Sequence, residues 1–171
     1  VKLVEGGVRG LEYDEHFMNN PKLSRVKLPS DLDTIPNSCF YLCTQLESID
    51  LPESISDLRA DAFRRAGLKN IHLPSNLKNI GYGAFEDCKL EEIEIPASVE
   101  NFSFNRITGN VLRKLTIHGN PELEALHCLK ELEFKDNKID ITLNLNSENI
   151  YNILHNCPDG LFYLDEKNLL G

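Results

Sequence analysis

No stretch of this 171-residue chain approaches the ~18 consecutive apolar residues that a membrane-spanning helix needs, so no helical span is expected. Enzyme signatures are missing too: GxSxG, HExxH, a P-loop, a paired-cysteine metal set, or a cysteine in a His-Asn context. Gly6-Gly7 and Gly10 have neither the GxGxxG spacing nor a following Lys-Ser/Thr, so they form no phosphate loop. Cys128 adjoins His127, but neighbours along a strand point to opposite faces. These absences argue against catalysis and against a bound cofactor or metal. Positive charge is in the minority: Lys+Arg 18 against Asp+Glu 27 gives a net charge of −9, which disfavours nucleic acid as a partner. A signal peptide is also missing, but the chain begins at Val1 rather than Met, so that absence carries no weight.

Five cysteines make an odd count, and their spacing suggests packing rather than cross-linking. Cys43 and Cys88 fall in one column of the pattern described below, where a free thiol acts as a small buried hydrophobe. Cys39-x-x-x-Cys43 resembles half a zinc site, with no second pair to complete it. The redox compartment stays open.

What the chain does have is an internal repeat. Leu23, Leu46, Leu68, Leu90 and Leu112 open successive units of almost constant length. Pro29, Pro52, Pro74 and Pro96 follow in the first four, and Phe17, Phe40, Phe63 and Phe85 form a column continued by Ile107. A fixed period of this size marks a leucine-rich repeat architecture. In the unit opened by Leu68, Ile71 and Leu73 alternate with Asn70 and His72, as a short strand with one buried face requires. Pro74 cannot donate to a ladder and closes the strand. Asn76 to Ile80 turns the chain and returns Leu77 and Ile80 to the core, Gly81 and Gly83 supply backbone freedom, and Phe85 plugs the far side. Full burial of that ring contributes about 1.5–3 kcal/mol. No unit can cover its own apolar edge, so Ile49, Ile71 and Ile93 are expected on one continuous spine.

These columns resemble the BspA-like, or Treponema-type, bacterial leucine-rich repeats, L-x-x-I-x-(I/L)-P-x-x-(L/V)-x-x-I-x-x-x-A-F-x-x-C. Ala62-Phe63 and Ala84-Phe85-x-x-Cys88 fit closely, and Cys39-Phe40-x-x-Cys43 fits with Cys for Ala; the match covers about residues 22 to 111. The resemblance implies a right-handed solenoid used for adhesion or protein binding, commonly at a cell surface or secreted, with no catalytic residues to carry over.

Around this core, residues 1–21 look like a worn first repeat, with Val8, Leu11 and Phe17 near the positions of Leu77, Ile80 and Phe85, covering the open edge of the first strand. Unit four replaces its turn and glycines with Asn101 to Asn105; Asn101-Phe102-Ser103 matches a glycosylation acceptor, a pattern that chance supplies readily. From Leu112 the pattern changes. Leu112-x-x-Leu115-x-Ile117-x-x-Asn120 and, after a shorter step, Leu129-x-x-Leu132-x-Phe134-x-x-Asn137 look like the more widespread L-x-x-L-x-L-x-x-N repeat. There the Asn amide satisfies backbone groups at the bend after the strand. Ile139 to Leu145 alternates without fault, Ser147 caps a helix over about 148–156, and Leu161 to Leu164 reads as a further strand.

The expected fold is therefore an α/β leucine-rich repeat solenoid of one domain over 1–171. A capping partial repeat occupies 1–21, repeats 22–138 and a strand-helix-strand cap 139–171. A curved, right-handed parallel sheet lines the concave face, with turns and short helical segments on the convex face. In the column after each opening leucine, Glu47, Lys69, Glu91 and Arg113 alternate in sign, flanked by Ser24 and Lys130, which reads as self-neutralisation rather than a grip on a highly charged ligand. Glu91, Glu92 and Glu94 share one strand, either as an acidic spot for a basic partner or cation, or as a solvated face paired with Arg113 and Lys114. His72 and His118 lie on or beside this face as polar surface residues. Lys69, Asn70, His72, Glu91, Glu92, Glu94, Arg113 and Lys114 are the candidate partner-binding residues. The chain is expected to be monomeric and to bind a protein; an intracellular scaffold or effector module and a structural spacer within a longer chain remain open.

Overall fold

The structure is a computed structural model that describes residues 2–3, 17–100, 107–119 and 140–144. Among these residues the chain forms eight strands. They are β1 (Lys2–Leu3), β2 (Val26–Lys27), β3 (Thr34–Ile35), β4 (Asp57–Leu58), β5 (Asn79–Ile80), β6 (Glu92–Ile95), β7 (Lys114–His118) and β8 (Asp140–Asn144). They form three sheets, ordered β1-β2, β3-β4-β5 and β6-β7-β8, and every pairing is parallel. Parallel pairing at a spacing near the repeat length means that each unit lies directly on the one before it, as a rung on a ladder.

Each rung meets its neighbours along three lines. The first is the strand line of β6 and β7, extended back by backbone bonds from Lys69 N to Glu47 O (3.0 Å) and from Glu91 N to Lys69 O (3.2 Å). The second runs through β3, β4 and β5, where Arg59 N donates to Ile35 O (3.0 Å) and Gly81 N to Leu58 O (2.6 Å). On the third line, along the turns that hold the phenylalanines, the earlier rung donates to the later one. Phe40 N donates to Ala62 O (2.8 Å), Phe63 N to Ala84 O (2.9 Å) and Asp87 N to Thr108 O (2.9 Å). Turn backbone that would otherwise be buried unpaired is thus satisfied by the next rung.

Between these lines lies one apolar core. Phe17, Phe40, Phe63 and Phe85 stack with centroids 5.4, 5.2 and 5.6 Å apart and rings within 7° of parallel. Leu46, Leu68 and Leu90 are fully buried, as are Leu77 and Ile80. Ile49 and Ile93 are buried, and the half-buried Ile71 packs against the same cluster. The spine expected from the sequence runs through these rungs.

Three expectations are revised. The segment Lys69 to Leu73 keeps its alternation, with Asn70 and His72 exposed and Leu73 buried, but it is not a strand. Asn70 there and Asp50 one rung earlier disfavour extended pairing, whereas β6 reads Glu-Ile-Glu-Ile. Asn76 to Ile80 is more than a turn, since its last two residues form β5. The turn side contains turns and no helix among the described residues. Left-handed residues recur twice per turn there (Ser38 and Leu42, Asp61 and Arg65, Gly83 and Asp87), and each interrupts helical winding. Strand β7 pairs directly with β8, Leu115 opposite Ile141 and Ile117 opposite Leu143. The strand read from the alternation of Ile139 to Leu145 is thus present as β8, beside β7.

The glycines also divide. Gly83 has φ +62° and needs the left-handed region. Gly81 does not; a Cβ there would sit 2.5 Å from Ala60 N and Arg59 C, so it is glycine because two rungs approach closely. Residues 4–16, with Val8 and Leu11, lie outside the described residues. So do Lys130 and the second asparagine-type repeat, Asn120, the helix expected over 148–156, and the strand at 161–164.

Candidate functional site

Side chains alternate along a strand, so burying Ile93 and Ile95 sends Glu92 and Glu94 to solvent. The same logic across rungs assembles a face. Asn70, Glu92 and Lys114 occupy one column, His72 and Glu94 the next, and Lys69, Glu91 and Arg113 the corner just before the strand. All eight residues are exposed. Glu92 is the direct register partner of Lys114, and Glu94 that of Thr116. The corner column is tied by backbone bonds, Arg113 N to Glu91 O at 2.7 Å and Lys114 N to the same oxygen at 3.2 Å.

Contacts between these side chains run from rung to rung. Lys69 Nζ lies 2.8 Å from Glu47 Oε1, and that hydrogen bond and charge hold the Glu47 carboxyl below its ordinary range. His118 Nε2 lies 2.7 Å from Glu94 Oε1. His118 therefore engages the acidic strand directly, while His72 is an exposed neighbour one rung back. The face also holds Arg25, Lys27 and Asp50, exposed at matching positions of earlier rungs. Sequence reasoning missed these three, although alignment to Asn70 and His72 marks them.

A second charged set occupies the turn side. Arg64 reaches Glu86 at 2.8 Å and Asp61 at 3.4 Å, and Arg65 reaches Asp87 at 3.2 Å. The signal that finds these pairs is the repeat itself, since Glu86 and Asp87 stand one period after Arg64 and Arg65.

Among the described residues Cys39, Cys43 and Cys88 are buried and none is in a disulfide. Burial raises the Cys43 thiol and pushes Cys88 up to about 12, so the thiolate needed for a nucleophile or metal ligand is disfavoured. Cys43 Sγ instead donates to Phe17 O (3.2 Å) and Cys88 Sγ to Phe63 O (3.0 Å). Asn110, one period beyond Cys88, extends the same column. Its Nδ2 donates to the carbonyls of Phe85 (2.7 Å) and Ile107 (2.8 Å), and its Oδ1 accepts from Leu90 N (2.9 Å). Asn110, inside unit four, thus plays the same backbone-satisfying role that the sequence suggests for Asn120 and Asn137. Among the described residues no three His, Cys, Asp or Glu side chains converge to hold a metal, and no helix is long and apolar enough to cross a membrane.

Comparison with known proteins agrees with this architecture. Residues 13–113 match the BspA type leucine rich repeat region in six copies. A leucine-rich repeat protein from Eubacterium ventriosum is similar in structure at TM-score 0.62 and 14% identity, over 84% of this chain and 39% of that one. Another from Bacteroides ovatus is similar at TM-score 0.51 and 23% identity, over 66% of this chain and 37% of that one. The chain thus spans less than two-fifths of either. No curated protein sequence matches it significantly.

Proposed function

The chain belongs to the BspA-type leucine-rich repeat family, and on that footing we propose that it is a non-catalytic module that binds a protein through the face carried by β6, β7 and the rungs before them. In this reading the face is the concave side of a curved, right-handed solenoid, and Lys69, Asn70, His72, Glu91, Glu92, Glu94, Arg113 and Lys114 are the contact set. The protein works at a bacterial surface or is secreted, as an adhesion or host-binding element. One observation carries the reading: parallel stacking and rung-to-rung backbone bonds fix the spacing of eight exposed polar side chains. A surface held in register loses little entropy on binding, which is what a recognition face requires.

The test is affinity capture in parallel from native lysate and from host extracellular matrix, with wild type and a Glu92→Lys/Glu94→Lys variant. Both substitutions are on exposed positions, so folding is checked by circular dichroism. A protein retained by wild type and lost by the folded variant supports the reading. Equal retention moves binding off this face.

A further inference from the structure

Across the strand face, charge is sorted by whole rungs. The first rung exposes Arg25 and Lys27, and the second Glu47 and Asp50. The third exposes Lys69 with His72, the fourth Glu91, Glu92 and Glu94, and the fifth Arg113 and Lys114. Every rung carries one sign, neighbouring rungs carry opposite signs, and with neutral histidines the formal charges of these five rungs cancel. In the next strand the register position of Lys114 is held by Asp140.

Internal neutralisation alone does not call for this arrangement. Alternation both along and across the strands, as on a checkerboard, would surround every charge with opposites. Stripes instead set like charges side by side within a rung, as at Glu91, Glu92 and Glu94, and like charges so placed repel. What stripes gain is coherence toward an opposing surface. Rungs lie about 4.8 Å apart, so alternate signs cancel at a distance and are felt only by a surface with the same pitch in contact.

We infer that the occupant is a second copy of this chain, docked face to face. Take a twofold axis in the plane of the face, parallel to the strands, passing between the third and fourth rungs. It sets the third rung against the partner's fourth and the second against its fifth, so each of these four rungs opposes the other sign. Such an interface is isologous, the commonest kind in homodimers. Five rungs by five residues give a face of about 24 by 17 Å, about 400 Å², below the ~800 Å² per partner of a stable interface. The dimer is therefore weak, in place of the monomer expected from the sequence.

The test uses two charge-swap variants and the purified chain alone, so it stands or falls independently of capture of another protein. Lys69→Glu/His72→Glu makes the third and fourth rungs both acidic; Glu92→Lys/Glu94→Lys makes the fourth net basic beside a basic third. By sedimentation equilibrium at several hundred micromolar, wild type self-associates. Each variant alone associates at least about tenfold more weakly, while an equimolar mixture of the two recovers to within about threefold of wild type. Should a swap variant fail to fold, Lys69→Gln and Glu94→Gln replace the pair, each expected to weaken self-association several-fold. A wild type that is monomeric at these concentrations overturns the inference. So does self-association that the variants leave unchanged, or a folded mixture that does not recover.

Discussion

The Cys88 thiol donates to the carbonyl of Phe63, 3.0 Å away in the preceding rung, and one period later the Asn110 amide does the same to Phe85 at 2.7 Å. Cys43, Cys88 and Asn110 thus tie their turns to the phenylalanine one rung before. Ala66, buried between Cys43 and Cys88 in that column, has no side-chain donor.

Asn110→Ala removes partners from the amide of Leu90 and the carbonyls of Phe85 and Ile107 together. The expected loss is about 2–3 kcal/mol, since buried polar groups left unpaired bear their full desolvation cost. Urea denaturation monitored by circular dichroism measures it. Asn110→Asp keeps the acceptor for Leu90 but turns a carboxylate oxygen toward the Phe85 and Ile107 carbonyls, and is expected to cost at least as much.

Burial sets a pH dependence through Cys88. Its thiol is pushed up to about 12 from an ordinary 9.0, chiefly by desolvation and further by the Asp87 charge. Below pH 9 both folded and unfolded chains keep the proton, and the contribution is whole. Between the two values the unfolded chain loses the proton while the folded chain keeps it, so stability falls as pH rises. From pH 8 to pH 10.5 wild type is expected to lose about 2 kcal/mol more than Cys88→Ala. Equal losses in the two proteins would contradict the assignment.

Two glycines close together in one turn are expected to respond differently. Gly81→Ala drives a methyl to within 2.5 Å of the backbone of the preceding rung, which cannot yield cheaply. A loss of at least about 2 kcal/mol is expected, in the range of overpacking. Gly83→Asn is expected to cost less than Gly81→Ala, because Asn tolerates the left-handed region, Asp61 and Ser38 already occupy it in the same column, and the atom an added Cβ meets is the movable end of the Asp61 side chain. Thermal melts of the two variants order them.

Phe63 lies inside the ring stack, with Phe40 at 5.2 Å and Phe85 at 5.6 Å. Phe63→Ala is expected to cost about 3–5 kcal/mol. Because each rung leans only on its neighbours, the damage should split unfolding into two steps, and hydrogen exchange should speed first in the rungs on either side. Phe63→Leu retains most of the burial and is expected to keep a single transition.

Much of this was readable because the repeat makes burial a local property. Ile93, Leu68 and Phe85 declare themselves by recurring at the same place in successive units, and with side chains alternating, the outward places of Glu92 and Glu94 follow. Other features were hidden because their cause lies one rung away. Asn70 and Asp50 look like strand residues by alternation, yet the segments that hold them form no strand. Gly81 looked like a source of flexibility until Arg59 and Ala60 were seen pressed against it. The single-sign rungs were missed by following only the column of Glu47, Lys69, Glu91 and Arg113, when the pattern extends across Arg25, Lys27, Asp50 and Glu94.

Taken alone, the order of residues decided the period, the columns that fill the core, and the kinship with leucine-rich repeat proteins, since each depends on contacts repeated at a constant separation along the chain. Stacking decided the rest. It set β8 beside β7 and drew Asn110 into the role of a backbone tie. These outcomes turn on which groups a neighbouring rung presents across a few ångströms, and that geometry exists only once the rungs have met.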